Sequence, residues 1–107
     1  MKIDILGTEY TLIEADENED AVLLGKDGYC DTSVKLCVVD RMQVADANAK
    51  HDLLGYKKSC IRHELIHAFL YESGLDVCSF GQNEEMVDWI AIQFPKLLRA
   101  FRDADAL

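Results

Sequence analysis

His63-Glu64-Leu65-Ile66-His67 is an H-E-x-x-H pattern. On a helix, residues four apart project from nearly the same direction, one turn apart. Two imidazoles so placed can converge on one metal ion. Glu64 lies one angular step away, where it reaches a water on the ion rather than the ion itself. That division of labour suits hydrolysis. Zinc lowers the pKa of a bound water, the glutamate takes its proton, and the hydroxide attacks a carbonyl. The surrounding "CIRHELIHAFLYES" contains no Gly or Pro, so the motif is compatible with a helix.

A catalytic zinc site usually takes three protein ligands and keeps one position open. The chain has three histidines; His51 lies upstream of the motif and none follows His67. Leu70 and Ser73 occupy the Gly and last His positions of the longer H-E-x-x-H-x-x-G-x-x-H pattern, which is therefore excluded. The third ligand is expected to be an acid. "NEEMVD" (Asn83 to Asp88) opens a second helix, with Glu84 seventeen residues after His67. That gap lets the first helix end and the second pack back on it. Glu84 is the expected ligand because it alone stands four residues before Asp88. Glu85 is its rival and Asp76 a more distant candidate. Asp88 is placed to accept a hydrogen bond from the free nitrogen of a ligand histidine, which fixes the tautomer and raises basicity. The plain alternatives are a first-turn charge on the helix dipole for Glu84 and a surface acid for Asp88.

"HELIH" followed by "NEEMVD" resembles the gluzincin plan, in which H-E-x-x-H precedes a helix bearing N-E-x-x-x-D. With the preceding strand and "E-x-x-V-D-W-I-A", residues 30 to 98 look like the small zinc-peptidase-like proteins of phages and mobile elements, including ImmA/IrrE-type domains. The resemblance implies that His63, His67 and Glu84 bind zinc, Glu64 is the general base and Asp88 orients a histidine. It also implies that "VKLCVVD" (Val34 to Asp40) is the sheet edge along which an extended peptide pairs. The larger gluzincins use a downstream histidine or tyrosine to hold the oxyanion. Here no tyrosine follows Tyr71; that residue, one turn past His67, faces either the site or, as expected here, the core. Trp89 is expected beside the core, without a cofactor role.

The elements that must position these groups are legible in part. "KIDIL" (2–6) and "EYTLIE" (9–14) read as strands joined by a turn at Gly7-Thr8. "DENED" (Asp16 to Asp20) reads as a solvated loop or helix start. "AVLLGKDGYCDTS" carries turn signals at Gly25 and Asp27-Gly28. "VKLCVVD" is the strongest strand. "RMQVADANAKHDLLGY" leads into a helix from about Leu53 to Ser73, which Gly74 stops. Asn83 caps the second helix, whose stripe is Val87, Ile90, Ala91, Phe94, Leu97, Leu98 and Phe101. Pro95 is expected to kink or restart it. The pattern predicts one α+β domain over residues 1–107: a small antiparallel sheet followed by the H-E-x-x-H helix packed on the second helix.

Composition bounds the function. The formal charge is −9, which repels a phosphate backbone. The cluster Lys57, Lys58 and Arg62 is expected to be a solvated face. No apolar run reaches the length of a membrane span, and the N-terminus lacks the features of an export signal. A cytoplasmic protein with reduced, buried cysteines is expected. The leading expectation is a zinc-dependent peptidase-like hydrolase acting on a protein or peptide. The alternative is a non-catalytic interaction module whose small core is stapled by structural zinc.

Overall fold

The computed structural model describes residues 1–43, 52–76, 79 and 83–107. Four strands, β1 (Lys2–Ile5), β2 (Thr8–Ala15), β3 (Gly28–Asp31) and β4 (Leu36–Asp40), precede two helices, α1 (Leu53–Glu72) and α2 (Glu84–Asp103). The chain is α+β, but the sheet is mixed rather than antiparallel. Its order is β1-β2-β4-β3. β1–β2 and β3–β4 pair antiparallel, while β2 and β4 run parallel. After β2, the chain passes a short 3-10 helix (Ala21–Leu23) to the outside of the sheet, forms β3, and turns back as β4 into the interior. β4 is thus paired on both sides, and the edge expected of "VKLCVVD" belongs to β3. The sequence reading missed β3 because "GYCD" is short and carries Gly and Asp, both poor strand formers.

The first turn falls one residue earlier than expected. Ile5 pairs with Thr8, so Leu6 and Gly7 are the two loop residues. Both have positive φ, 52° and 88°, as a type I′ hairpin requires.

Helix ends follow the local signals. The Asp52 side chain accepts from the Gly55 amide at 2.9 Å and caps α1. At the other end Gly74 takes φ 80°, with Gly74 N–H donating to the Tyr71 carbonyl and Leu75 N–H to Leu70. These are the paired bonds of a Schellman stop. Asn83 caps α2 by accepting from the Met86 amide at 3.0 Å, and Asp20 caps the 3-10 helix.

Pro95 does not restart α2, which runs unbroken from Glu84 to Asp103. Proline removes the amide that would bond the carbonyl four residues back. That carbonyl belongs to Ala91, which is fully buried, and Arg62 Nε of α1 donates to it at 2.5 Å. Arg62 therefore belongs to the helix interface, not to a solvated basic face. Lys57 is also engaged, with Glu14 at 2.6 Å.

The main core lies between the sheet and α1: Ile5, Tyr10, Cys37 and Ala68, flanked by Ile3, Leu12, Cys30 and Leu65. A smaller cluster of Ala15, Leu23 and Val38 packs on the other face. α2 packs chiefly on α1. Of its expected stripe only Val87 and Ala91 are buried; Phe94 and Phe101 are exposed. Trp89 is 56% exposed and so is not a core neighbour. Tyr71 is at the surface too, with the Lys35 ammonium 4.7 Å from its ring centre. Cys37 is fully buried, Cys30 and Cys60 partly so, and all three are free thiols. Cys78 and His51 lie outside the described residues. No helix among those residues is long and apolar enough to cross a membrane.

Candidate metal centre

The site is built on two helices and the edge strand. On α1, His63 and His67 sit one turn apart with ring centres 4.9 Å apart and their Nε2 atoms facing at 3.2 Å. Glu84, in the first turn of α2, spans both. Its Oε1 is 2.7 Å from His67 Nε2 and its Oε2 is 3.1 Å from His63 Nε2. Asp88, one turn on, meets the other nitrogen of His63, with Oδ1 3.1 Å from Nδ1. Asp76 Oδ1 stands 3.9 Å from His67 Nδ1, beyond direct hydrogen bonding but within ion-pair reach. Asp76 thus lies behind His67 as Asp88 lies behind His63. Neither Glu85 nor Asp76 joins the ligand group.

These donors fit a small divalent ion. His63, His67 and Glu84 offer three lone-pair atoms that converge on one point. Ligands at tetrahedral zinc stand about 3.3 Å apart, given bonds near 2.0–2.1 Å. The separations of 2.7–3.2 Å lie close to that. Two imidazole nitrogens facing each other across a carboxylate need a shared cation, either a proton or a metal. The N/N/O set is one that zinc accepts.

Glu64 points to the other side of His63, toward the sheet. It is the one charged residue buried among those described, 7% exposed. Gly28 of β3 makes room for it. A Cβ there would lie 3.3 Å from Glu64 Cγ and 2.8 Å from the Val38 carbonyl oxygen. Burial pushes the Glu64 carboxyl up to about 7; His63 and Lys26 pull it down and Glu84 pushes it up. A carboxyl titrating near neutrality is suited to taking and returning a proton.

Open space lies on both sides of this acid. One cleft, of about 560 Å³, reaches toward Tyr29, Cys30 and Asp76. Another, of about 280 Å³, reaches toward Tyr56, Cys60 and Asp88. Lys26, Gly28, His63, Glu64 and Glu84 line both. Tyr56 donates to Asp27 and ties the start of α1 to the loop before β3.

The structure therefore brings His63, Glu64, His67, Glu84 and Asp88 together in one place. Sequence reasoning missed Lys26, Gly28 and Cys30 as wall residues. "GKDGYC" contains a Gly and a cation, but nothing in its spacing says that it faces the motif. No protein-family profile matches this chain, and neither curated proteins nor solved structures provide a match.

Proposed function

We propose that this chain is a zinc-dependent, metallopeptidase-like hydrolase that acts on a protein or peptide. The observation that carries the reading is the convergence of His63, His67 and Glu84 from two helices, with Glu64 buried beside them at an open cleft. His63, His67 and Glu84 would hold the ion. When bound, it supplies Lewis acidity toward a water and a carbonyl. Glu64 takes a proton from the attacking water and returns it to the leaving amine. Asp88 holds the His63 ring through Nδ1 and Asp76 backs His67. Lys26, on the wall of both clefts, is the cation available to offset charge developing on the carbonyl oxygen. It would take the part that a downstream histidine or tyrosine plays in larger gluzincins. An extended peptide would pair with the outer edge of β3 and so run along the cleft.

The competing reading is a non-catalytic module with a structural zinc. Such a site is closed by four protein ligands, and the group among the described residues has three. A formal charge of −9 speaks against a nucleic-acid substrate.

The test is elemental analysis of the purified chain beside His67→Ala and Glu64→Gln, followed by incubation with a mixed peptide library. The expected result is about one zinc per chain, lost in His67→Ala and kept in Glu64→Gln. Peptide cleavage should occur in the parent chain alone. Absence of metal after zinc is supplied would remove the reading, and turnover by Glu64→Gln would remove the mechanism.

A further inference from the structure

The cleft wall holds a second reactive group that the hydrolytic reading does not use. Cys30 of β3 and Cys37 of β4 are direct partners across the antiparallel ladder. Their Sγ atoms stand 3.5 Å apart, in contact. The Asp40 amide donates to the Asp27 carbonyl, which makes Asp27/Asp40 a hydrogen-bonded pair in this ladder. Pairs alternate along an antiparallel ladder, so Cys30/Cys37 is a non-hydrogen-bonded pair. In such pairs the Cα atoms are about 4.5 Å apart, inside the window a disulfide spans. Closing the sulfurs from 3.5 Å to about 2.0 Å needs side-chain rotation and no change of register. The two thiols differ in access. Cys37 is fully buried, its Sγ 3.8 Å from the Glu64 carbonyl oxygen. Cys30 is partly exposed and lines the larger cleft.

We propose that Cys30 and Cys37 form a dithiol oxidation site, at which a peroxide entering the cleft converts the pair to a disulfide linking β3 to β4. Cys30 attacks the peroxide. An S–O bond forms, the O–O bond breaks, and the departing hydroxide leaves as water with the thiol proton. Cys37 then attacks the sulfenic sulfur. The S–S bond forms, the S–O bond breaks, and a second water leaves. Two thiols are oxidised by two electrons in all, and one peroxide is reduced to two waters. The sulfurs are in contact, so the pair gives up its first proton more readily than its second and the remaining proton is shared between them; Cys30, the sulfur that lines the cleft, is the one that meets the peroxide. The linked form binds the Cys30 wall of the cleft covalently to the interior strand. This site needs no metal, so its failure and the failure of the hydrolase reading are separate results.

The sequence supplies a clean assay. Lys35 lies between the two cysteines, so trypsin separates residues 27–35 from 36–41. The full chain is treated with hydrogen peroxide, its remaining thiols are blocked, and it is digested without reductant. The expected product is a species joining 27–35 to 36–41, two hydrogens lighter than their sum and cleaved by reductant. It should form severalfold faster in the folded chain than in urea. Cys37→Ser should abolish it and leave a Cys30 sulfenic acid that dimedone traps. Recovery of both peptides with blocked thiols would overturn the proposal. So would linkage of Cys30 to Cys60, Cys78 or a second chain, or equal rates in the folded and unfolded protein.

Discussion

At the scale of single residues, Glu64 carries the sharpest consequence. Its ordinary value of 4.5 rises to about 7 on folding because it is buried. Between those values the folded chain binds more protons than the unfolded chain, so stability falls as pH rises through the window. Converted at 1.36 kcal/mol per unit, the loss is on the order of 3 kcal/mol. Glu64→Gln keeps the shape and removes the charge. In metal-free protein it should match the parent at about pH 4 and exceed it at about pH 8, read by urea denaturation. A parallel decline in both chains would show that Glu64 is not the titrating group. Asp88 makes a different claim, since it meets the nitrogen of His63 that faces away from the ligand group. Asp88→Asn should weaken zinc binding by about 10–100-fold in competition with a chelator. Unchanged affinity would return Asp88 to the role of a surface acid. The place of Glu64 beside the histidines was legible from spacing along α1, and Asp88 was expected near a histidine from its place one turn past Glu84. The burial of Glu64 was not legible, because it depends on Gly28 in a strand far away in sequence.

Among the elements, the join between α1 and α2 rests on a polar contact that no pattern announced. Pro95 deprives the buried Ala91 carbonyl of its helical partner, and Arg62 supplies another. Arg62→Met keeps the apolar stem but strips the donor, and should cost about 1–3 kcal/mol as the carbonyl is left unsatisfied. Pro95→Ala restores an amide to that carbonyl, so Arg62→Met should cost much less in that background. A double-mutant cycle measures the difference, and strict additivity would mean that the two residues are not coupled. The restart expected at Pro95 followed from proline chemistry alone; α2 instead continues through it, and a side chain from the neighbouring helix partners the carbonyl that the proline leaves free. The sheet gives the same lesson. β4 was recognised by its β-branched residues, whereas its interior place depends on β3 pairing outside it.

For the molecule as a whole, the division of ligands between helices matters most. α2 packs chiefly on α1, and its exposed Phe94 and Phe101 add little burial. An ion held by His63 and His67 from α1 and Glu84 from α2 would tie the two helices together. Zinc at 100 times its dissociation constant should then stabilise the chain by about 2.7 kcal/mol. The measurement is the thermal midpoint with zinc and with chelator, alongside His67→Ala. A midpoint indifferent to zinc would mean that the cluster holds no ion in the folded chain.

By itself the sequence determined what depends on near neighbours. These are the cap at Asn83, the stop at Gly74, and the shared face of His63 and His67. Each follows from hydrogen bonds or angular spacing within a turn or two of chain. The tertiary structure decided what depends on distant segments. It placed Glu84 rather than Glu85 across the imidazoles, seated Glu64 against Gly28, and put Cys30 on Cys37 at an edge strand that composition did not reveal. Those outcomes follow from how the chain crosses from β2 to β3 and how α2 leans on α1. Both depend on packing between segments that share no local signal.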